Sequence, residues 1–388
     1  VGRGFGGRIA EEIDKKEGQL READRVAALL EAVWLDSGSQ WWVVAGEREG
    51  KLRPGGGLVE EILLVEMNKG KLGTVLFYEP RQIDDLVKEA PLMGSPLDTL
   101  LGQRRLTVRE LGLEGDFEIM AGKMDLMLTE ALGVKIDGLI GIKLSQEESL
   151  ESWWNQMSGI SEVRQWGSWL EAQKKLLEER RIRVWLRTAN AQELVKELGW
   201  AGNLGLPDCR KVFGDNDCVS DGIQILLTDT GSSEEKNFWR MNSQQEIVIG
   251  ENRVMHSGEW TLENVSGSGG DIYWQWLVPS GAFNVQLWEA GVQTRLDDNM
   301  GKVVRVDKDS RKTLRLSYEL AKEASSEFGL SFRQKLPDEI AMTSTRLRVK
   351  KEGEGNWTLL SPMPTLDGDE LMFSHEGGDD MLVVVQLQ

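Results

Sequence analysis

Two cysteines, two histidines and a few tight groupings of arginine, glycine and aspartate are the residues through which this chain could do chemistry. Cys209 and Cys218 stand close together in a Gly, Asp and Asn-rich loop directly after Gly199-Trp200-Ala201-Gly202. Three fates are open to the pair: a local disulfide, two unlinked thiols, or half of a metal site. The metal site is the weakest of these, because His256 and His375 are far away in sequence and a zinc centre normally takes four ligands. A bridge is expected. Closing so short a loop stabilises a fold by roughly 3 kcal/mol in the chain-entropy account, and such bridges persist in oxidising compartments.

Other constellations fail on spacing. No Gly-x-Ser-x-Gly elbow is present, and both histidines fall in a β-rich stretch where they are expected to be ordinary strand or loop residues. The segment Lys51 to Gly57 lacks the Gly-Lys-Ser/Thr end of a phosphate-binding loop, and Gly4-Phe5-Gly6-Gly7 has no strand before it. Asp215-Asn216-Asp217 and Asp367-Gly368-Asp369-Glu370 do not have the spacing of an EF-hand loop and read as solvated turns. Asn264-Val265-Ser266 and Asn356-Trp357-Thr358 fit the glycosylation pattern.

The elements that must position these residues are set by a chain of 388 residues, long enough for two or three domains. Lys plus Arg number 46 against 64 Asp plus Glu, a formal charge of −18. So acidic a surface repels phosphate backbones and anionic head groups, which disfavours nucleic acid and lipid surfaces as partners. No run of about 18 apolar residues exists to span a bilayer. The chain begins at Val1 rather than methionine, which raises the expectation of a processed or truncated chain whose anchor preceded it.

Arg8 to Trp34 carries a narrow apolar stripe at helical spacing among many charges. Trp41 to Ala45 predicts a buried strand, Arg53-Pro54-Gly55-Gly56-Gly57 a turn, and Asn68-Lys69-Gly70-Lys71 a hairpin between strands at Ile62 to Met67 and Leu72 to Tyr78. Met120, Met124, Met127, Leu128 and Leu132 mark a helix stopped by Gly133, with a strand at Ile136 to Ile142. A long or broken helix follows, its tryptophans Trp153, Trp154, Trp166 and Trp169 turned to the core. A strand at Arg183 to Leu186 and a helix at Ala191 to Leu198 complete this part. Beyond Asn237 short alternating runs separated by Gly, Asn, Asp and Ser predict a β-sandwich, with a polar connector at Gly231-Ser232-Ser233-Glu234-Glu235 and no internal repeat visible in the residues.

Several landmarks, in order, resemble the bacterial and archaeal family catalogued as domain of unknown function 4012. They are Arg53-Pro54-Gly55-Gly56-Gly57, Asn68 to Leu72, Arg109 with Asp116-Phe117, Val134 to Ile142 with Asp137-Gly138, Gln192 with Gly199 to Gly202, Lys236, and Lys312 to Tyr318. The chain departs from the family pattern at Gly55, where Thr is usual, at Glu110, where Asp is usual, and at Asp229-Thr230-Gly231, which replaces an Asn-Leu-Gly element. The resemblance implies an extracytoplasmic protein of the cell surface, held by an N-terminal transmembrane helix not present here. That family in turn looks like a remote relative of the LytR-CpsA-Psr enzymes, which transfer lipid-linked glycopolymers to the cell wall with arginines on a pyrophosphate and acidic residues on a divalent metal. On that likeness Arg53, Arg81 and Arg109 are candidate phosphate ligands and Asp116 a candidate ligand for magnesium, the one cofactor the comparison brings in.

The resulting expectation is an amphipathic helix over 1–40, an α/β (α+β) domain of mixed sheet flanked by helices over 41–236, and an all-β sandwich over 237–388. The function expected is a structural or binding role at the cell envelope, its partner an envelope glycan or lipid-linked polymer. A metal-dependent phosphotransferase attaching such polymers is the alternative. A third expectation concerns Tyr273, Trp274, Trp276 and Trp288: alternation places Trp274 and Trp276 together in the core, and their exposure as a patch would instead indicate a partner or glycan platform.

Overall fold

The computed structural model describes residues 24–29, 31, 38–48, 52–68, 71–145, 147–158, 172–177, 179, 181–202, 208–214, 216–230, 238–266, 269–323, 327–335, 340, 342–353, 355–367, 370–376 and 380–388. The chain forms two compact units. The first comprises Val1–Arg48, Leu58–Leu92 and Arg105–Asn203, the second Glu49–Gly57, Met93–Arg104 and Leu204–Gln388. The second unit thus begins well before residue 237, because Cys218–Asp229 is a strand of one of its sheets rather than the end of the preceding domain. Most of the described secondary structure is strand, gathered in three sheets.

In the first unit, β1 (Ser39–Arg48), β2 (Leu58–Asn68), β3 (Lys71–Tyr78), β4 (Gly138–Leu144) and β5 (Ile182–Leu186) form a sheet in the order β3-β2-β1-β4-β5. Only β1 and β4 run parallel. The helix Phe117–Leu132 connects across that pair; Asp116 caps it by accepting from the N–H of Glu118 at 2.9 Å and Ile119 at 3.3 Å. It ends where Gly133 takes φ 69°, the left-handed conformation glycine adopts without strain. Phe117, Met120, Met124 and Leu128 form its buried stripe. A Cβ on Gly141 would lie 2.8 Å from the Phe117 ring, so this helix sits on the Gly141 face of β4. The opposite face, through Val44, Ile142 and Leu144, is covered by Leu150 and the half-buried Trp153 and Trp154 of the helix Leu150–Ser158. Trp166 and Trp169 lie outside the described residues. Leu29, in a helical stretch over residues 24–29, packs with Leu186, Ala191, Val195 and Ala201; most of the expected N-terminal helix lies outside the described residues.

The second unit holds two larger sheets. The six-stranded one has the order β12-β9-β6-β14-β19-β16, from β6 (Cys218–Asp229), β9 (Gly269–Leu277), β12 (Gly301–Asp307), β14 (Phe328–Lys335), β16 (Trp357–Ser361) and β19 (Met381–Leu387). The eight-stranded one has the order β11-β10-β13-β8-β7-β15-β18-β17, from β7 (Phe238–Ile249), β8 (Arg253–Ser266), β10 (Phe283–Glu289), β11 (Val292–Thr294), β13 (Arg311–Ala321), β15 (Met342–Lys351), β17 (Thr365–Asp367) and β18 (Glu370–Glu376). Side chains of both sheets share one core, including Ile225, Trp260, Trp274, Trp276, Leu316 and Phe332. Trp274 and Trp276 are fully buried and stacked at 5.4 Å, which places them in the core as alternation expects.

A topological repeat runs through this unit that no residue pattern reveals. β6 and β9 pair in one sheet while β7 and β8 pair in the other; β14 with β19 and β15 with β18 reproduce that arrangement. The copies meet inside each sheet as the parallel pairs β6–β14 and β7–β15.

Candidate functional site

The motif residues of the first unit are engaged in its framework. Asp137 locks the start of β4 to β1: its Oδ2 accepts from the Trp41 N–H at 2.9 Å and its own N–H donates to the Trp41 carbonyl at 2.7 Å. Buried Gln192 accepts the Leu186 N–H at 2.8 Å. Gly202, at φ 59°, lies so close to Arg183 that a Cβ there would be 2.6 Å from the Arg183 Cδ. The Arg183 guanidinium stacks over the Phe117 ring at 4.7 Å and pairs with Glu47, and both members of that ion pair are buried.

The candidate phosphate and metal ligands have structural partners or lie open. Arg109 is exposed and pairs with Glu60 at 3.4 Å. Arg81 is exposed in the short helix Pro80–Asp84. Asp116 spends Oδ1 on the two helix N–H groups described above. Arg53 belongs to the second unit, where it is 4% exposed and its Nη1 donates to the carbonyls of Leu52 at 3.0 Å and Asp229 at 2.8 Å. Its turn is closed by the Gly56 N–H on the Arg53 carbonyl, with Gly56 at φ 112° and Gly57 at φ 96°. Among the described residues no group of three or more His, Cys, Asp and Glu is gathered as a metal centre requires. With Asp116 committed to its helix, these residues do not fit a magnesium site.

Cys209 and Cys218 are bonded. The bridge holds the helical turn Arg210–Phe213 against the six-stranded sheet, where Phe213 lies over Gly329 and packs with Cys209 and Val384. The Cys209 N–H donates to Ser220 Oγ at 2.9 Å. The bridge therefore staples an element inside the second unit.

Between the two sheets runs a buried chain of polar side chains. Asp221 on β6 is fully buried and receives the Tyr318 hydroxyl at 2.7 Å and the Gly222 N–H at 2.7 Å on Oδ1, while Oδ2 lies 2.9 Å from His256 Nδ1. His256 Nε2 is 3.1 Å from Gln245 Oε1. Gln245 donates to Gln334, Gln334 to Ser243 at 3.3 Å, and Ser243 to Thr345 at 3.0 Å. Burial and the neighbouring Asp221 carboxylate push the Tyr318 hydroxyl well above its ordinary range, so it stays a neutral donor. Buried as it is, the chain ties the sheets together without meeting solvent. His256, expected as an ordinary strand residue, is its pivot.

The solvent face of the eight-stranded sheet has a different character. Register places Trp288 of β10, Arg315 of β13, Glu259 of β8, Gln244 of β7, Arg346 of β15 and Ser374 of β18 side by side in one row across six strands. A parallel row holds Ser317, Ser257, Glu246, Arg348 and Met372. Arg315 lies over the half-buried Trp288 ring at 5.7 Å. Two depressions adjoin at Glu259 and Arg315. One, of about 350 Å³, reaches Arg346 and Met372; the other, of about 520 Å³, reaches Trp288 and Lys312. The charges around them are unequally used. Lys350 pairs with Glu246 at 2.8 Å and Glu370 at 3.3 Å, and Arg348 lies against the same carboxylates. Hydrogen bonds to Glu246 and then Glu370 raise the Lys350 ammonium above its usual range. Lys302 and Lys312 both bond Glu289, holding that carboxyl below the usual carboxylate range. Arg346 and Glu259, both exposed, have no ion-pair partner among the described residues. The sequence signalled the face only through the outward phase of its strands, which is polar in any half-solvated sheet.

No family model matches the chain, and no curated protein matches it. Among solved structures, a candidate nutrient-binding protein from Legionella pneumophila superposes with a TM-score of 0.27 at 9% identity, over 44% of this chain and 72% of that one. An M1 zinc metallopeptidase from Deinococcus radiodurans superposes with a TM-score of 0.26 at 11% identity, over 39% of this chain and 42% of that one. Neither likeness is close enough to inform the fold or the site.

Proposed function

We propose that this chain is an extracytoplasmic cell-envelope protein, an α/β unit followed by a β-sandwich, whose role is to bind a polymer of the envelope rather than to transform it. The observation that carries the reading is the row Trp288, Arg315, Glu259, Gln244 and Arg346: an aromatic ring, two cations and hydrogen-bonding groups spread over an open sheet face with two shallow depressions. Such a surface can contact many units of an extended polymer but does not enclose a reacting atom. The disulfide agrees with an oxidising compartment. Among the described residues no helix is long and apolar enough to cross a membrane.

The alternative, a metal-dependent transferase of lipid-pyrophosphate-linked glycopolymers, draws less support. Arg53 and Asp116 are committed to backbone groups, and among the described residues no group of three or more His, Cys, Asp and Glu is gathered to hold the metal that such a transfer requires. Electrophoresis of the full chain through gels containing a panel of neutral and acidic polysaccharides tests the choice. Retardation by at least one polymer, with no turnover of a polyprenyl-pyrophosphate glycolipid in magnesium, is expected. Turnover of that lipid would overturn the reading.

A further inference from the structure

We propose that the outer face of the eight-stranded sheet takes an acidic polysaccharide whose carboxylated sugars alternate with neutral ones, a ligand class that rests on the binding role above. Its carboxylates would meet Arg315 and Arg346, and a sugar ring would lie on Trp288.

Charge complementarity selects the occupant. The protein carries a formal charge of −18, so a polyanion is repelled over most of its surface. Arginines exposed and unpaired on such a protein are therefore informative. Most cations of this face are neutralised, as Lys350, Arg348 and Arg253 show. Arg346 has no such partner among the described residues, and Arg315 is held over Trp288 rather than by a carboxylate. Each guanidinium can engage a carboxylate through two parallel N–H groups.

The spacing explains why neutral sugars must intervene. Arg315 and Arg346 are three strands apart, β13 to β15 across β8 and β7, so their Cα atoms are separated by about 14 Å at about 4.8 Å per strand. Glu259 and Gln244 fill the interval. A carboxylate on every sugar would bring one against Glu259, whereas a neutral sugar offers hydroxyls that Glu259 can accept and amide or hydroxyl groups for Gln244. Trp288 extends the row beyond Arg315 and presents a half-buried ring for the apolar face of a sugar. Backbone pairing plays no part, because the row crosses strands that are already paired on both sides.

The test uses the full chain in affinity electrophoresis against a polymer of alternating glucuronate and N-acetylglucosamine, a polyuronate with a carboxylate on every sugar, and a neutral β-linked glucan. Binding is expected to be strongest to the alternating polymer. Arg346→Ala and Arg315→Ala should each weaken it about tenfold or more, the loss of one charge-assisted contact, and Glu259→Gln should improve binding of the polyuronate relative to the alternating polymer. All three side chains are exposed, and unchanged thermal unfolding verifies that the variants are folded. Equal binding of the neutral glucan, insensitive to Arg346→Ala, would overturn the acidic ligand and leave the binding role standing. Binding of the alternating polymer unchanged in both arginine variants would overturn this site. Failure of every polymer to bind would overturn the binding role itself.

Discussion

Replacing Asp221 by alanine should unfold the second unit's two-sheet core at markedly lower denaturant. The Tyr318 hydroxyl at 2.7 Å, the Gly222 N–H at 2.7 Å and His256 Nδ1 at 2.9 Å all lie against its carboxylate, and the residue is 0% exposed. Water cannot replace the lost acceptor without a cavity large enough to hold it. A buried donor stripped of its partner costs about 1–3 kcal/mol, and three groups lie against this one carboxylate. We expect Asp221→Ala to cost about 3–5 kcal/mol, a large share of a typical total of about 5–15 kcal/mol. Tyr318→Phe removes one donor while two groups still bond the carboxylate, so about 1–2 kcal/mol is expected. The two share one network, and the double variant should fall short of the sum by about 1 kcal/mol. Hydrogen exchange followed by mass spectrometry, in rising urea, assigns the loss to peptides of β6, β8 and β13 and separates it from unfolding of the first unit. Strict additivity, or a cost for Asp221→Ala below about 0.5 kcal/mol, would refute the view that this carboxylate anchors the interior.

Three further outcomes are expected. Reducing the Cys209–Cys218 bridge, which closes a separation of 9 residues, should lower stability by about 2.7 kcal/mol in the chain-entropy account, with exchange faster around Arg210–Phe213 and polysaccharide binding unchanged. Tyr318 and Tyr273 both ionise well above the ordinary 10.0, through burial and then their partners Asp221 and Asp297. Because the folded pKa values are raised, their stabilisation is complete below pH 10.0 and is lost as pH rises from there toward those values. The tyrosinate absorbance of these two should emerge only with unfolding, and Tyr318→Phe should flatten the alkaline loss of stability. In the first unit, Arg183→Met should cost about 3–5 kcal/mol by removing the guanidinium paired with the buried Glu47, and Glu47→Gln in the same chain should recover part of it, both read from urea midpoints.

The first unit was legible in the residues because its signals are local. Asp116, the Met120 to Leu132 stripe and Gly133 announce a capped helix, and the Asn68 to Lys71 turn announces a hairpin. The Cys209–Cys218 bond was legible from the closeness of the two cysteines and the distance of both histidines. β6 was not, because Cys218, Ser220, Asp221 and Gly222 interrupt the apolar run that marks a strand, and pairing with the distant β14 supplies what propensity lacks. Those interruptions were themselves a signal. Asp221, Ser243, Gln245, His256, Gln334 and Thr345 all occupy inward phases of otherwise apolar strands, where burial demands a partner. Only the topology, which crosses repeatedly between the two sheets, shows that they satisfy one another. The row on the outer face was hidden for a similar reason: Trp288, Glu259 and Arg346 lie far apart in sequence and meet only through strand register.

Covalent footprinting of the full chain, with and without the alternating glucuronate polymer, tests the central claim of a binding face most directly. Carboxyl labelling of Glu259 and oxidation of Trp288 should fall when the polymer is bound, while labelling of Asp116 and Glu110 stays constant. Protection of Asp116 and Glu110 with Glu259 and Trp288 unaffected would contradict the account and return attention to the first unit.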